Sequence, residues 1–197
     1  MSGLSPKRRW LPPLIAALIA AVLQTAALGY MVESRASILR SGKEVLLKTV
    51  PVDPRDLLRG DYVILSYDIS RLPPELFKIG LPTVAQEATV FVRLAPQPDG
   101  FWAASEASFQ PLAPADGTVL LQSQPFTYYP QSSESPTSVD VAYGIERFYV
   151  PEGEGRVLEQ ARNAEALSVS VRINDAGRAQ IRQIAVAGAP VYEEPLY

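Results

Sequence analysis

Val45-Leu46-Leu47-Lys48-Thr49-Val50-Pro51-Val52 returns 74 residues later as Val119-Leu120-Leu121-Gln122-Ser123-Gln124-Pro125-Phe126. Both copies are short apolar runs rich in β-formers and closed by proline, which suits a buried strand ending in a turn. Three further matches follow in the same order. Tyr67-Asp68-Ile69-Ser70-Arg71 is answered by Tyr143-Gly144-Ile145-Glu146-Arg147 at an offset of 76, Pro74-Glu75 by Pro151-Glu152 at 77, and Val90-Phe91-Val92-Arg93 by Val169-Ser170-Val171-Arg172 at 79. Such ordered self-similarity predicts a tandem duplication over about 43–110 and 117–188, each half running strand, strand, short helix, hairpin. The expected fold class is α+β and predominantly antiparallel β: two β-β-α-β-β repeats, in segments 43–110 and 111–197, forming one combined domain. A segment of fewer than about 75 residues makes a marginal core alone. The halves are therefore expected to pack about a pseudo-twofold axis over a shared core.

Local chemistry fills in the elements. Tyr62 and Ile64 begin an alternating second strand. Pro73 and Pro74 stand before Glu75-Leu76-Phe77-Lys78, which predicts a short helix with proline at its start. Glu87–Leu94 and Phe101–Phe109 flank Pro96-Gln97-Pro98-Asp99-Gly100, a hairpin signal. Tyr128 to Ser138 reads as an extended polar loop.

Upstream lies one long apolar run. Lys7, Arg8 and Arg9 precede Leu11 to Val32, which carries no charge. At 1.5 Å per residue such a span reaches roughly 33 Å, enough for a bilayer core. Trp10 and Tyr30 mark its ends as interfacial aromatics do, and the basic cluster predicts a cytoplasmic N-terminus at residues 1–10 with 33–197 outside. Residues 11–32 are expected as an uncleaved anchor and 33–42 as a short stalk or a helical continuation of the anchor. The alternative is a signal peptide cleaved at Ala27-Leu28-Gly29.

Composition narrows the chemistry. The chain has no cysteine and no histidine. Disulfides, thiolate nucleophiles, His-based triads and Cys or His metal sites are thereby excluded. Catalysis would need carboxylates, lysine or tyrosine. The first 32 residues hold three basic and no acidic side chains, leaving 15 Lys+Arg against 21 Asp+Glu, a net of −6, beyond them. That balance argues against nucleic acid as a partner. No cofactor and no metal site is expected.

Two segments are dense in motif-like residues: Gly60-Asp61-Tyr62-Val63-Ile64-Leu65-Ser66-Tyr67 and Tyr143-Gly144-Ile145-Glu146-Arg147-Phe148-Tyr149-Val150-Pro151-Glu152-Gly153. The first resembles the signature of the GDYXXLXY family of bacterial membrane-anchored proteins. The second resembles a Glu-Arg-aromatic-aromatic-Val-Pro-Glu-Gly run of the same family, and Tyr192 to Tyr197 is similar to its ending. The resemblance covers most of the segment after the apolar run. It implies an inner-membrane, periplasm-facing setting and, from the polytopic membrane proteins thought to be encoded nearby, a complex with such a protein. It implies no established activity.

Residue by residue, the candidates for binding are Arg59, Gly60, Asp61, Tyr62, Tyr143, Glu146, Arg147 and Glu152. Asp53, Arg55, Asp56, Arg59 and Asp61 crowd around the first motif and also suit a turn held by side-chain-to-backbone bonds. Gly60-Asp61-Tyr62 has no counterpart in the second half, which singles it out. No catalytic residue is assigned. The reading is a non-enzymatic, membrane-anchored module that binds a membrane protein or an envelope polymer. The alternative is a carboxylate-dependent hydrolase of cell-wall glycan, which requires Asp61 and either Glu146 or Glu152 to line one cleft. The oligomeric state is open.

Overall fold

The uncharged run becomes one helix, α1, spanning Pro13–Ser41. No polar face interrupts it, and it is long and apolar enough to cross a membrane, with mean hydropathy 2.0 and none of its apolar window buried. The chain is described by a computed structural model over residues 12–51, 62–130, 138–150 and 155–195. It divides into two compact units, residues 1–36 and 37–197.

Of the two expectations for residues 33–42, a stalk or a helical continuation, the second holds: 33–41 continue the helix. No glycine or proline interrupts the chain between Val32 and Ser41, so nothing stops the helical turns earlier. From Ser37 onward the helix belongs to the second unit, where Ile38 and Leu39 are buried. Gly42 ends it: its N–H reaches the Ile38 carbonyl at 2.8 Å, and a Cβ there would lie 2.6 Å from that same oxygen.

The second unit is predominantly antiparallel β. In chain order its strands are β1 (Lys43–Lys48), β2 (Tyr62–Ile64), β3 (Arg71–Leu72), β4 (Gln86–Ala88), β5 (Phe91–Pro96), β6 (Trp102–Ser108), β7 (Val119–Gln122), β8 (Phe126–Tyr128), β9 (Val139–Asp140), β10 (Arg147–Tyr149), β11 (Leu167–Ile173), β12 (Ala179–Val186) and β13 (Ala189–Glu193). A helix, α2 (Gly155–Asn163), precedes β11. The sheets run β1-β11-β12-β13 and β6-β5-β7, with two-stranded ribbons β2–β10, β3–β9 and β4–β8.

Two hairpins dominate. β5 and β6 meet at Gln97–Gly100, and β11 and β12 at Asn174–Gly177; the closing glycines have φ of 86° and 77°, a region open to glycine and costly to other residues. Each turn is closed by the same pair of bonds. Gly100 N–H donates to Gln97 O and Gln97 N–H to Phe101 O; Gly177 N–H donates to Asn174 O and Asn174 N–H to Arg178 O. Each hairpin also carries one register shift, at Arg93/Leu94 and at Ser170/Val171.

Each hairpin takes an outer partner, distant in the chain for β11–β12 and the next strand for β5–β6. β1 lies against β11, pairing Val45 with Val171 and Leu47 with Val169. β7 lies against β5, pairing Val119 with Leu94 and Leu121 with Val92. These alternating side chains point inward, and all eight are buried in one hydrophobic core that runs from Val45 to Ile184.

One expectation is refined and one is corrected. The short helix with proline at its start is present, but it is a 3-10 helix over Pro74–Leu76 rather than 75–78, entered through Pro73 and left at Phe77, which turns into the core. Tyr128 is not in a polar loop. It pairs with Gln86 across β8 and β4 and is buried, its ring edge-on to Phe109 at 5.1 Å, because only an apolar pocket satisfies so large a side chain there.

Candidate functional site

Two tight loops lie at the middle of the unit. In Tyr143-Gly144-Ile145-Glu146, Gly144 has φ of 84°, and both carboxylate oxygens of Glu146 accept backbone N–H groups, from Tyr143 and from Gly144. In Tyr67-Asp68-Ile69-Ser70, the Ser70 hydroxyl accepts the N–H of Tyr67 at 3.3 Å. Tyr67 donates its hydroxyl to the Ile145 carbonyl at 2.7 Å, and Tyr143 donates to the Ile69 carbonyl at 2.6 Å. Burial, with the Glu146 carboxylate nearby, pushes both phenols well above the ordinary tyrosine range.

Tyr143, expected on a binding surface, is therefore a core residue, only 3% exposed. A tyrosine ring in the core needs a buried acceptor, and Ile69 supplies it. Glu146 is committed to its own loop, where the two amide dipoles satisfy its charge.

The two motif segments meet beside these loops. β2 pairs antiparallel with β10: Tyr62 with Tyr149, Val63 with Phe148, Ile64 with Arg147. The Leu65 N–H extends the ladder to the Glu146 carbonyl at 2.8 Å. Side chains alternate across this ribbon. Val63 and Phe148 are buried, and the Phe148 ring meets Tyr192 at 5.6 Å. Tyr62, Ile64, Arg147 and Tyr149 make the opposite face. Tyr149 is 71% and Ile64 38% exposed. The Tyr62 and Tyr149 rings lie 5.8 Å apart at 55°, and the Arg147 guanidinium carbon sits 5.7 Å from the Tyr62 ring centre, a cation over an aromatic face.

Arg162, at the end of α2, supports the ribbon from behind. It is 3% exposed, and its Nη1 donates to the Ile64 carbonyl at 2.7 Å, while Nε and Nη2 both reach Asn163 Oδ1. A second ribbon, β3–β9, repeats the local geometry with different side chains. β3 pairs Arg71 with Asp140, and the Val141 N–H extends that ladder to the Ser70 carbonyl at 2.9 Å. Here the outward arginine has a carboxylate: Arg71 Nε meets Asp140 Oδ1 at 3.1 Å.

An open cleft of about 700 Å³ separates the ribbons, with Ser66, Asp68, Arg71, Asp140 and Glu146 on its walls. Partial desolvation raises the Asp68 carboxyl above its ordinary range, against the opposing pull of the Ile69 N–H bond and of Lys48. Among the described residues no group of three or more acidic side chains could hold a metal ion.

Of the residues singled out from sequence, Tyr62 and Arg147 come together on one exposed face. Tyr143 and Glu146 lie in the loop beneath it. Arg59, Gly60, Asp61 and Glu152 lie outside the described residues. Ile64, Arg162 and Asp68 were not marked as candidates. The alternation of Tyr62-Val63-Ile64 carried a signal for Ile64; nothing in the sequence around Arg162 distinguishes it from a solvated helix arginine.

A family model described as GDYXXLXY protein matches residues 24–184. No curated protein and no solved structure matches the chain.

Proposed function

The chain belongs to the GDYXXLXY protein family, and on that premise we propose that it is a membrane-anchored, non-enzymatic interaction module whose docking surface is the outer face of the β2–β10 ribbon. The observation that carries the reading is that this ribbon joins the two motif segments. Its inner face is core, and its outer face displays Tyr62, Ile64, Arg147 and Tyr149. Exposed tyrosine and arginine around an apolar centre is the composition of protein-binding hot spots. The partner in this reading is a membrane protein, which an anchored domain meets at high effective concentration.

The anchor is α1, whose length and hydropathy support a transmembrane placement. The basic residues 7–9 favour a cytoplasmic N-terminus in the inner membrane and a periplasmic domain. The absence of cysteine makes that orientation simple to test. A Ser105→Cys variant labelled in intact spheroplasts by an impermeant maleimide supports a periplasmic domain, and labelling only after lysis opposes it.

The domain itself reads as two tandem repeats, 43–110 and 111–197. Support comes from the exchange of outer strands between the hairpins, from their matching turns and register shifts, and from the paired tyrosine bonds. The hairpin features correspond at an offset of 77, two residues from the 79 that the Val90 and Val169 match suggests.

Photo-crosslinking from position 149 in native membranes tests the docking surface. Adducts to an integral membrane protein that vanish in Tyr62→Ala are expected; an adduct pattern unchanged by Tyr62→Ala removes this surface from consideration. The second reading, a glycan hydrolase, draws on the cleft in which Asp68 holds its proton more tightly than usual. Of the two glutamates it could use, Glu146 has both oxygens bound by backbone amides, and Glu152 lies outside the described residues. Release of soluble glycan from cell-wall sacculi, abolished by Asp68→Asn, would favour it.

A further inference from the structure

The ribbons β2–β10 and β3–β9 present an arginine at the same place, and only one of them meets a carboxylate. On β3, Arg71 stands opposite Asp140 and binds it at 3.1 Å. On β10, Arg147 stands opposite Ile64, and its guanidinium lies over the Tyr62 ring. The flanking ladder bonds match: Val141 N–H to Ser70 O in one, Leu65 N–H to Glu146 O in the other. Among the described residues no carboxylate pairs with Arg147. Among the described residues the unit thus holds one arginine of this arrangement paired with an acid and one set opposite an apolar side chain.

We infer that the face formed by Tyr62, Ile64, Arg147 and Tyr149 receives a carboxylate from an acidic peptide segment of the partner, with Arg147 holding the charge and Ile64 contacting its apolar flank. The inference rests on the reading of this face as an interaction surface. Charge complementarity selects the occupant. The chain beyond residue 32 is acidic overall, with 15 Lys+Arg and 21 Asp+Glu, so a cation displayed among aromatics is a local exception. A guanidinium matches a carboxylate in shape as well as charge, and one on a tyrosine face is already oriented for it. Ile64 beside it excludes water from the pair, which strengthens the attraction.

The test uses the full chain in zwitterionic micelles and two probe peptides, acetyl-Glu-Ala-Glu-amide and its Gln-Ala-Gln counterpart. Binding is followed by NMR at the Arg147 Nε–H and the Tyr149 ring. The glutamate peptide is expected to bind about tenfold more tightly than the glutamine peptide, the weight of one charge-assisted hydrogen bond. That preference is lost in Arg147→Gln. It is also lost in Ile64→Asp, which supplies an internal carboxylate as Asp140 does for Arg71. Equal binding of the two peptides overturns the inference, as does an Ile64→Asp variant that still prefers the acidic one. A response to anionic glycan fragments with none to the peptides also overturns it. If the acidic preference fails while Tyr62→Ala still removes the crosslinked partner, the docking surface stands and only its carboxylate chemistry falls.

Discussion

Tyr67 and Tyr143 each donate their hydroxyl to the carbonyl two residues beyond the other, Tyr67 to Ile145 at 2.7 Å and Tyr143 to Ile69 at 2.6 Å. Both rings are buried, so each bond satisfies a donor and an acceptor that water cannot reach. The pair ties the two loops that carry the ribbons. Whatever the outer faces bind, their relative position is set here.

Tyr67→Phe is expected to lower stability by about 1–3 kcal/mol, because it leaves the Ile145 carbonyl buried without a partner. Tyr143→Phe should do the same at Ile69. Urea unfolding would record this as a lower midpoint with an unchanged slope. The two losses should combine non-additively, since both act on one pair of loops. Midpoints equal to the parent's would mean that the hydroxyls do not hold the loops.

The same tyrosines make the fold sensitive to alkali. Both phenols are raised above their ordinary value in the folded chain, whereas unfolded tyrosines ionise near pH 10. At high pH the folded state therefore binds more protons than the unfolded one. Their contribution is complete below about pH 10 and falls as pH climbs above it. Midpoints measured from pH 8 to 11 should decline above 10, and the decline should be shallower in Tyr143→Phe.

The two hairpin glycines should differ in sensitivity. Gly100→Ala meets open space, so its cost is the strain of positive φ alone, about 1 kcal/mol. Gly177→Ala carries that strain and also brings a Cβ within 3.1 Å of the Gln122 backbone nitrogen and Cβ. The Gln122 N–H already donates to the Gly177 carbonyl at 2.8 Å, so the neighbour has little room to move. Thermal unfolding should place Gly177→Ala below Gly100→Ala.

Arg162→Leu should destabilise by about 1–3 kcal/mol, the loss of a charged donor to a part-buried strand carbonyl. Its specific mark would be faster hydrogen exchange on β2 and β10 than on the β11–β12 hairpin, because Arg162 bonds the Ile64 carbonyl and touches neither hairpin strand by hydrogen bond. Uniform acceleration across both would assign Arg162 to general packing.

Much of this arrangement was legible in the chain. The apolar run, the two hairpins, and the antiparallel, strand-rich character all follow from composition, alternation and turn residues. Strand partners were less accessible. Alternation at Val45 and Leu47 says which side chains turn inward, and it is silent on whether β1 lies beside β5 or β11. The roles of Tyr143 and Glu146 were misjudged for a related reason. A tyrosine and a glutamate in a motif look like ligands for something external, until the fold brings the Ile69 carbonyl to one and its own loop amides to the other. Ile64 reads in the sequence only as a position in an alternating strand; its place opposite Arg147 follows from the β2–β10 register.

The exchange of outer strands also bears on how the protein is made. Among the described residues β1 pairs only with β11, and the buried bond from Thr49 Oγ1 to the Leu167 carbonyl spans 118 residues. Synthesis delivers β1 well before β11. Throughout that interval Val45 and Leu47 belong to an unpaired strand edge, the kind of surface that seeks pairing with other chains. A chain truncated before residue 167 would retain the β5–β6 hairpin with β7 while leaving its first strand a target for holdases and proteases.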